Sequence, residues 1–258
     1  MVMANPSAHD VLREKAMTDH LRGKTVLITG GSSGFGLATA RRLLARGAQV
    51  GITGRDAVRL AAAAAALGSE VLAVRADAVC TRDWLGALEQ ITSRFGHLDV
   101  LVNNHGAGVK IASLEQQDDA AIDDALAINL GSVIRGCREA VGLMKPRGRG
   151  HIINVSSVCA HHAWADWGPY SAAKAGVVAF TRVLHLEMQA WGGKASCFTP
   201  GAARTGFTSA AHLDDSWQAG LPDGDDFAGE LVKVIDVPAH VFVEEVTVWG
   251  TRQVLNPF

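Results

Sequence analysis

From residue 23 onward the chain alternates two kinds of segment. Short apolar runs, many of them β-branched, occur at Thr25–Thr29, Val50–Thr53, Val71–Val74, Val100–Val102 and Ile152–Val155, and again at Ala195–Thr199 and Val246–Trp249. Runs this short, with no alternation of polar residues, are those of strands covered on both faces. Between them lie helix-length segments rich in Ala, Leu, Arg and Glu. The six alanines Ala61–Ala66, flanked by Leu60 and Leu67, read as the middle of a helix. Strands alternating with helices predict an α/β fold: one doubly wound parallel sheet with helices on both faces. No repeat or Pro/Ser-rich linker divides it. A single domain is therefore expected over residues 23–258, with a substrate lid at about 205–228 and an N-terminal arm, residues 1–22, before it.

Such a sheet binds ligands beyond the carboxyl ends of its strands, so the residues after each apolar run carry the functional reading. The first run enters Thr29-Gly30-Gly31-Ser32-Ser33-Gly34-Phe35-Gly36 and then a helical segment. Glycines permit a sharp turn and close approach to the backbone. The helix behind them offers N–H groups and a positive dipole end. Together they predict a pyrophosphate cradle in a Rossmann-type fold. Gly30-Gly31-Ser32-Ser33-Gly34 also fits G-x-S-x-G, the nucleophile elbow of serine hydrolases. That elbow normally follows several strands rather than the first, and it has no need of Gly36.

The second run ends Ile52-Thr53-Gly54-Arg55-Asp56. A site for NAD usually places an acid here against the ribose 2′-hydroxyl. Gly54 stands in that place, and Arg55 after it suits a 2′-phosphate. The expected cofactor is NADP(H). Asp56, a helix cap by position, leaves NAD(H) use open. After the third run, Asp77 and Ala78 are placed for the adenine edge. After the fourth comes Asn103-Asn104-His105-Gly106, with Asn103 expected on the adenosine side. Asp and Asn also tie off turns without any ligand.

Composition narrows the partners. The chain is 48% hydrophobic and 19% charged with a formal net charge of −2, which suits a packed core and gives no basic field for nucleic acid or anionic membrane. The basic run Lys145–Arg149 reads as a loop before a strand. Cys80, Cys137, Cys159 and Cys197 form no C-x-x-C pair, so free thiols in a reducing compartment, the cytoplasm, are expected. The N-terminus has no secretory apolar region, and no run approaches the ~20 apolar residues of a membrane span. Asn154-Val155-Ser156 matches a glycosylation acceptor but lies in a strand-like run. His161 and His162 are adjacent, so they point apart and predict no metal site.

The motifs TGGSSGFG, NNHG, Asn129 in INLGS, Ser157 in NVSSV, Tyr170 and Lys174 in YSAAK, and Pro200-Gly201 in TPG occur in this order. In that set the chain resembles the short-chain dehydrogenase/reductase (SDR) family, over about residues 23 to 205. Tyr170 is the only tyrosine of the chain, and the i, i+4 spacing puts Lys174 on its helix face. A nearby ammonium is expected to lower the phenol pKa and make it a general acid or base. The resemblance implies catalytic roles for Asn129, Ser157, Tyr170 and Lys174. It implies that Lys174 holds the nicotinamide ribose and Ser157 the substrate oxygen, with Asn129 holding a water that links Lys174 to solvent. It also implies cofactor contacts at Gly30, Ser32, Ser33, Gly34, Phe35, Gly36, Gly106, Pro200, Gly201, Ala203 and Thr205, and packing as a homodimer or homotetramer through the helices of Asn129 and Tyr170. The implied reaction is hydride transfer between a carbonyl compound and its alcohol.

Several features depart from the family pattern or bear on substrate. His105 replaces the alanine of N-N-A-G and narrows the site as a loop residue. Arg204 is unusual and is expected to face solvent. The loop between Ser157 and Tyr170 places Trp164 and Trp167, with His105 and Phe207, around an apolar or aromatic substrate. The lid carries Leu213, Trp217 and Leu221 among five aspartates, Asp214, Asp215, Asp223, Asp225 and Asp226. These argue mildly against a highly anionic substrate. The tail, VEEVTVWGTRQ, is similar to that of serine 3-dehydrogenase-like and clavulanate dehydrogenase-like members. A protein that binds NADP(H) without catalysis is the competing reading, and it would not need Ser157, Tyr170 and Lys174 together.

Overall fold

Each of the seven apolar runs forms a strand: β1 Thr25–Thr29, β2 Gln49–Gly54, β3 Leu72–Arg75, β4 Val100–Asn103, β5 Gly150–Val155, β6 Gly193–Pro200 and β7 Glu245–Val248. The computed structural model describes residues 20–106, 110–205 and 220–253. The strands pair in the order β3-β2-β1-β4-β5-β6-β7, all parallel. The order reverses between β1 and β4, which is where such sheets open a crevice for ligand.

The helices are α1 Gly34–Ala45, α2 Ala57–Leu67, α3 Thr81–Phe95, α4 Asp119–Leu126, α5 Ser132–Met144, α6 Gly168–Gln189 and α7 Gly224–Ile235. A π-helical turn, Ala127–Gly131, joins α4 to α5. The two-residue period of a strand divides the core between two layers. Val26 and Ile28 pack with Leu43, Leu60, Leu231 and Ile235, on the side of α1, α2 and α7. Leu27 packs with Ile91, Val133 and Val177, on the side of α3, α5 and α6. β1 is buried throughout, as expected, whereas the edge strands β3 and β7 are only partly covered.

The alanine run is helical. In α2 only Leu60 and Ala63 are buried, and the Asp56 side chain caps the helix by accepting from Arg59 N. The packed body begins before residue 23: Leu21 is fully buried, and His20 N donates to Asp236 Oδ1 at 3.0 Å. Phe207, Leu213, Asp214, Asp215 and Trp217 lie outside the described residues. The other three lid aspartates belong to α7. Asp223 accepts from Asp225 N and Asp226 N in a capping box, and Asp225 pairs with Arg42. They serve a helix N-terminus and say nothing about substrate charge. Asn154 is fully buried in β5. No helix among the described residues is long and apolar enough to cross a membrane.

Candidate active site

A cavity of about 670 Å3 opens at the carboxyl ends of the strands. One end is walled by the first turn (Gly30, Ser32, Ser33, Gly34, Phe35), by Arg55, Asp56 and Arg59 after β2, and by Asp77 and Ala78 after β3. The other end is walled by Ser157, Tyr170, Lys174, Trp164 and Trp167. His105 and Gly106 lie between, and Pro200, Gly201, Ala203 and Thr205 close a further side. Of the residues read as site residues in the described regions, Gly36, Asn103 and Asn129 do not line it.

Gly36 shapes the first turn from behind. A Cβ there would lie 2.5 Å from Gly30 O and 2.6 Å from Asn104 Nδ2, so only glycine lets α1 start this close to the turn. Ser33, the N-cap of α1, makes no side-chain cap bond, and the first helical turn holds no acid. The dipole end is thus left to an external anion. Arg55 is exposed, and Arg75 Nε donates to its carbonyl at 3.2 Å. Asp56 accepts from both Arg59 N (3.0 Å) and Arg59 Nη2 (3.2 Å). These bonds, led by the backbone one, hold its carboxyl below the usual range.

The expectation for Asn103 is not met. It closes β4 on the same face as Leu101, so it points under α5, where it is fully buried. Its Nδ2 donates to Asn154 Oδ1 at 2.8 Å, and Asn154 Nδ2 donates to Thr181 Oγ1 at 2.9 Å. Asn104 lines the cavity instead, donating to Thr29 O (3.0 Å) and Gly30 O (3.3 Å). His105 is no loose loop residue. Its Nδ1 lies 2.6 Å from Thr29 Oγ1 and its Nε2 2.5 Å from Ser132 Oγ, and the ring stands edge-on to Trp84.

At the other end the two adjacent serines that follow β5 separate. Ser156 Oγ is buried and donates to Lys174 O at 2.9 Å. Ser157 Oγ accepts from Cys159 N at 3.2 Å and shares a hydrogen bond with the Tyr170 hydroxyl. Tyr170 and Lys174 occupy the buried face of α6, as their spacing predicts. Lys174 Nζ donates to Val155 O at 2.9 Å and lies 5.7 Å from the Tyr170 ring centroid. The predicted direction of the phenol shift is overturned. Burial raises the Tyr170 pKa, the nearby Cys159 thiol adds to this, and the Ser157 bond opposes it. Burial also pulls Lys174 down to about 8. Desolvation disfavours the charged form of both groups and is the largest influence on each.

Asn129 is fully buried in the π-helical turn, its Nδ2 donating to Ala125 O at 2.9 Å. A Cβ on Gly106 would lie 3.1 Å from Asn129 Oδ1 and 3.5 Å from Lys174 Nζ. Both groups therefore face one small space that glycine keeps open. Trp167 stands edge-on to Tyr170 at 5.6 Å. Trp164 is backed by Trp249 at 6.5 Å, a contact between the loop and the tail that sequence reading missed. It also missed Arg59 and Gln253. The first had a signal, standing one helical turn after Arg55. Gln253 had none: the tail brings its Oε1 back to accept from Ala202 N at 3.0 Å. Arg204 lies off the cavity wall, half exposed, 3.8 Å from Asp223. Among the described residues no group of three or more His, Cys, Asp or Glu could hold a metal ion.

Comparison with known proteins points the same way. Residues 24–216 match the family described as short chain dehydrogenase. A 3-beta-hydroxysteroid dehydrogenase of Comamonas testosteroni is 36% identical over 179 residues, 68% of each chain. A 3-ketoacyl-(acyl-carrier-protein) reductase of Brucella melitensis, solved with NADH, superposes with a TM-score of 0.83 at 30% identity, covering 91% of this chain and 100% of that one. A metagenomic short-chain oxidoreductase solved with NADP superposes with a TM-score of 0.77 at 28% identity, covering 90% and 99%.

Proposed function

The chain belongs to the short-chain dehydrogenase family, and from that premise we propose that it is an NADP(H)-dependent oxidoreductase interconverting an apolar ketone or aldehyde and its alcohol. One observation carries the reading. Ser157, Tyr170 and Lys174 face one end of a cavity whose other end is a glycine turn, an uncapped helix N-terminus and Arg55. The residues fit a dinucleotide. The first turn and α1 would hold its pyrophosphate, Arg55 its 2′-phosphate, and Asp77 and Ala78 its adenine edge. Gly201, Ala203 and Thr205 would hold the nicotinamide end, and Lys174 the ribose. A bound nicotinamide supplies or accepts the hydride.

This chain's residues handle the proton. Ser157 orients the carbonyl oxygen, and Tyr170 donates its phenolic proton to that oxygen as charge develops. A raised phenol pKa keeps that proton on Tyr170 at neutral pH until the carbonyl oxygen takes it. Lys174, with Asn129 behind it, returns a proton to the phenol. Trp164 and Trp167 suit an apolar ring, in keeping with the hydroxysteroid dehydrogenase among the relatives. The four free cysteines support a reducing, cytoplasmic setting. The exposed stripe Ala172, Ala175, Ala179, Val183 and Leu186 on α6 supports self-association.

Asp56 and the NADH-bound relative favour NAD(H) as the second reading, but Asp56 is committed to Arg59. Fluorescence titration with NADPH and NADH separates the two. NADPH is expected to bind more tightly, and Arg55→Ala to weaken NADPH alone by roughly 10- to 150-fold, the worth of one charge-assisted bond. Equal binding of the two cofactors would overturn the preference. Binding of neither would overturn the enzyme. A panel of cyclic and aryl ketones with the preferred cofactor then finds the substrate.

A further inference from the structure

The π-helical turn Ala127–Gly131 carries Asn129. Such turns are rare, occur mostly as single turns inside α-helices and are frequent at functional sites. Two side chains hold this one. Ser132 Oγ donates to Ile128 O at 2.5 Å, within the turn. His105 Nε2 lies 2.5 Å from the same Ser132 oxygen, and its Nδ1 2.6 Å from Thr29 Oγ1. With the Ser132 hydrogen on Ile128 O, the imidazole donates from Nε2 and accepts at Nδ1 from the Thr29 hydroxyl, whose other acceptor, Val102 O, is farther away at 3.3 Å. One neutral ring thus spans from the end of β1 to the first residue of α5. Burial, then the charges of Lys174 and Arg55, drop its pKa to about 3 and keep it in that form.

We infer that His105 is a positioning residue: by tying Ser132 to Thr29 it locks the π-helical turn and aims Asn129 at Lys174. The inference rests on the reading of Asn129 and Lys174 as the catalytic end. It gives a purpose to the residue that departs from the family pattern. The alanine usual in that place could not make either bond.

The test compares His105→Ala, Ser132→Ala, the double variant and His105→Gln, whose amide N–H reaches toward Ser132 as Nε2 does. Three quantities are measured: NADPH affinity, kcat and KM for a ketone turned over in the panel, and amide hydrogen exchange of residues 127–131. Each alanine variant is expected to lower kcat about ten- to a hundredfold, the effect of a small misplacement. NADPH affinity should stay within about twofold, and exchange in the turn should quicken. The double variant should be no worse than the poorer single, because both act through one link, and Gln should recover most of the lost kcat. Unchanged kcat in His105→Ala, additive losses in the double variant, or loss of NADPH affinity in step with kcat would each overturn it. Should no ketone turn over, the reading of the site as an oxidoreductase fails, and exchange still decides His105: an unchanged rate at 127–131 overturns the lock.

Discussion

Tyr170 is the only phenol in the chain, so its ionisation can be followed spectroscopically without removing other tyrosines. The i, i+4 spacing delivers Lys174 to the same buried face, where its ammonium donates to Val155 O at 2.9 Å and lies 5.7 Å from the Tyr170 ring centroid. Burial is the largest influence on the hydroxyl, and the neutral phenol is favoured. Near-ultraviolet absorbance should therefore show little phenolate at pH 10 in the unliganded protein, where a free tyrosine is half ionised. Half-formed phenolate at that pH would mean that the field of Lys174 wins after all. Tyr170→Phe should lower kcat about 10²- to 10⁴-fold, the usual worth of a positioned acid, while leaving NADPH affinity near its original value. Full activity in that variant would remove Tyr170 from the chemistry.

At the scale of elements, β5 and β6 are joined through a second buried histidine. His151 Nε2 lies 2.9 Å from Ser196 Oγ, which itself donates to Val243 O at 2.6 Å. His151 is 5% exposed. Burial, with smaller effects from Lys194, Lys24 and His185, lowers its pKa to about 3. The sign is the reverse of a histidine that gains an acidic partner. The unfolded chain takes up the proton near pH 6.5 and the native state only near 3, so stability is lost as pH falls below 6.5. At pH 5 the loss from this residue is about 2 kcal/mol. Urea unfolding at pH 7 and pH 5 should show that much less acid sensitivity in His151→Gln than in the parent. Equal acid sensitivity in the two would mean that His151 is protonated in the fold.

For the whole molecule, the outer face of α6 presents a run of apolar side chains to solvent. Val183 is 56% exposed and Leu186 68%, and they continue a stripe of exposed alanines at helical spacing. Helix stripes of this kind pack on a second copy at close distance. In the oligomer we propose, Val183→Asp with Leu186→Asp should place unpaired carboxylates in a dry interface. Self-affinity should fall by at least about a hundredfold, some 3 kcal/mol, and sedimentation should shift toward monomer with cofactor binding retained. A parent protein that sediments as a monomer would rule the interface out.

Much of this protein was determined by local pattern. Short β-branched runs can be satisfied only inside a sheet, so all seven strands could be read directly. Parallel strands send their chemistry to their carboxyl ends, so the glycine turn and Arg55 could be read as one end of a cleft, and the family resemblance added Ser157, Tyr170 and Lys174. The tertiary structure decided what depends on burial and on contacts between distant segments. Which of two adjacent asparagines faces the cleft follows from the pleat of β4, which turns Asn103 inward. Whether the phenol rises or falls depends on desolvation, a property of the packed surroundings rather than of spacing. The aspartates after residue 222 became a helix cap because α7 begins there. His105, read as a loop residue that narrows the site, joins Thr29 and Ser132 across three segments that only the folded sheet brings together.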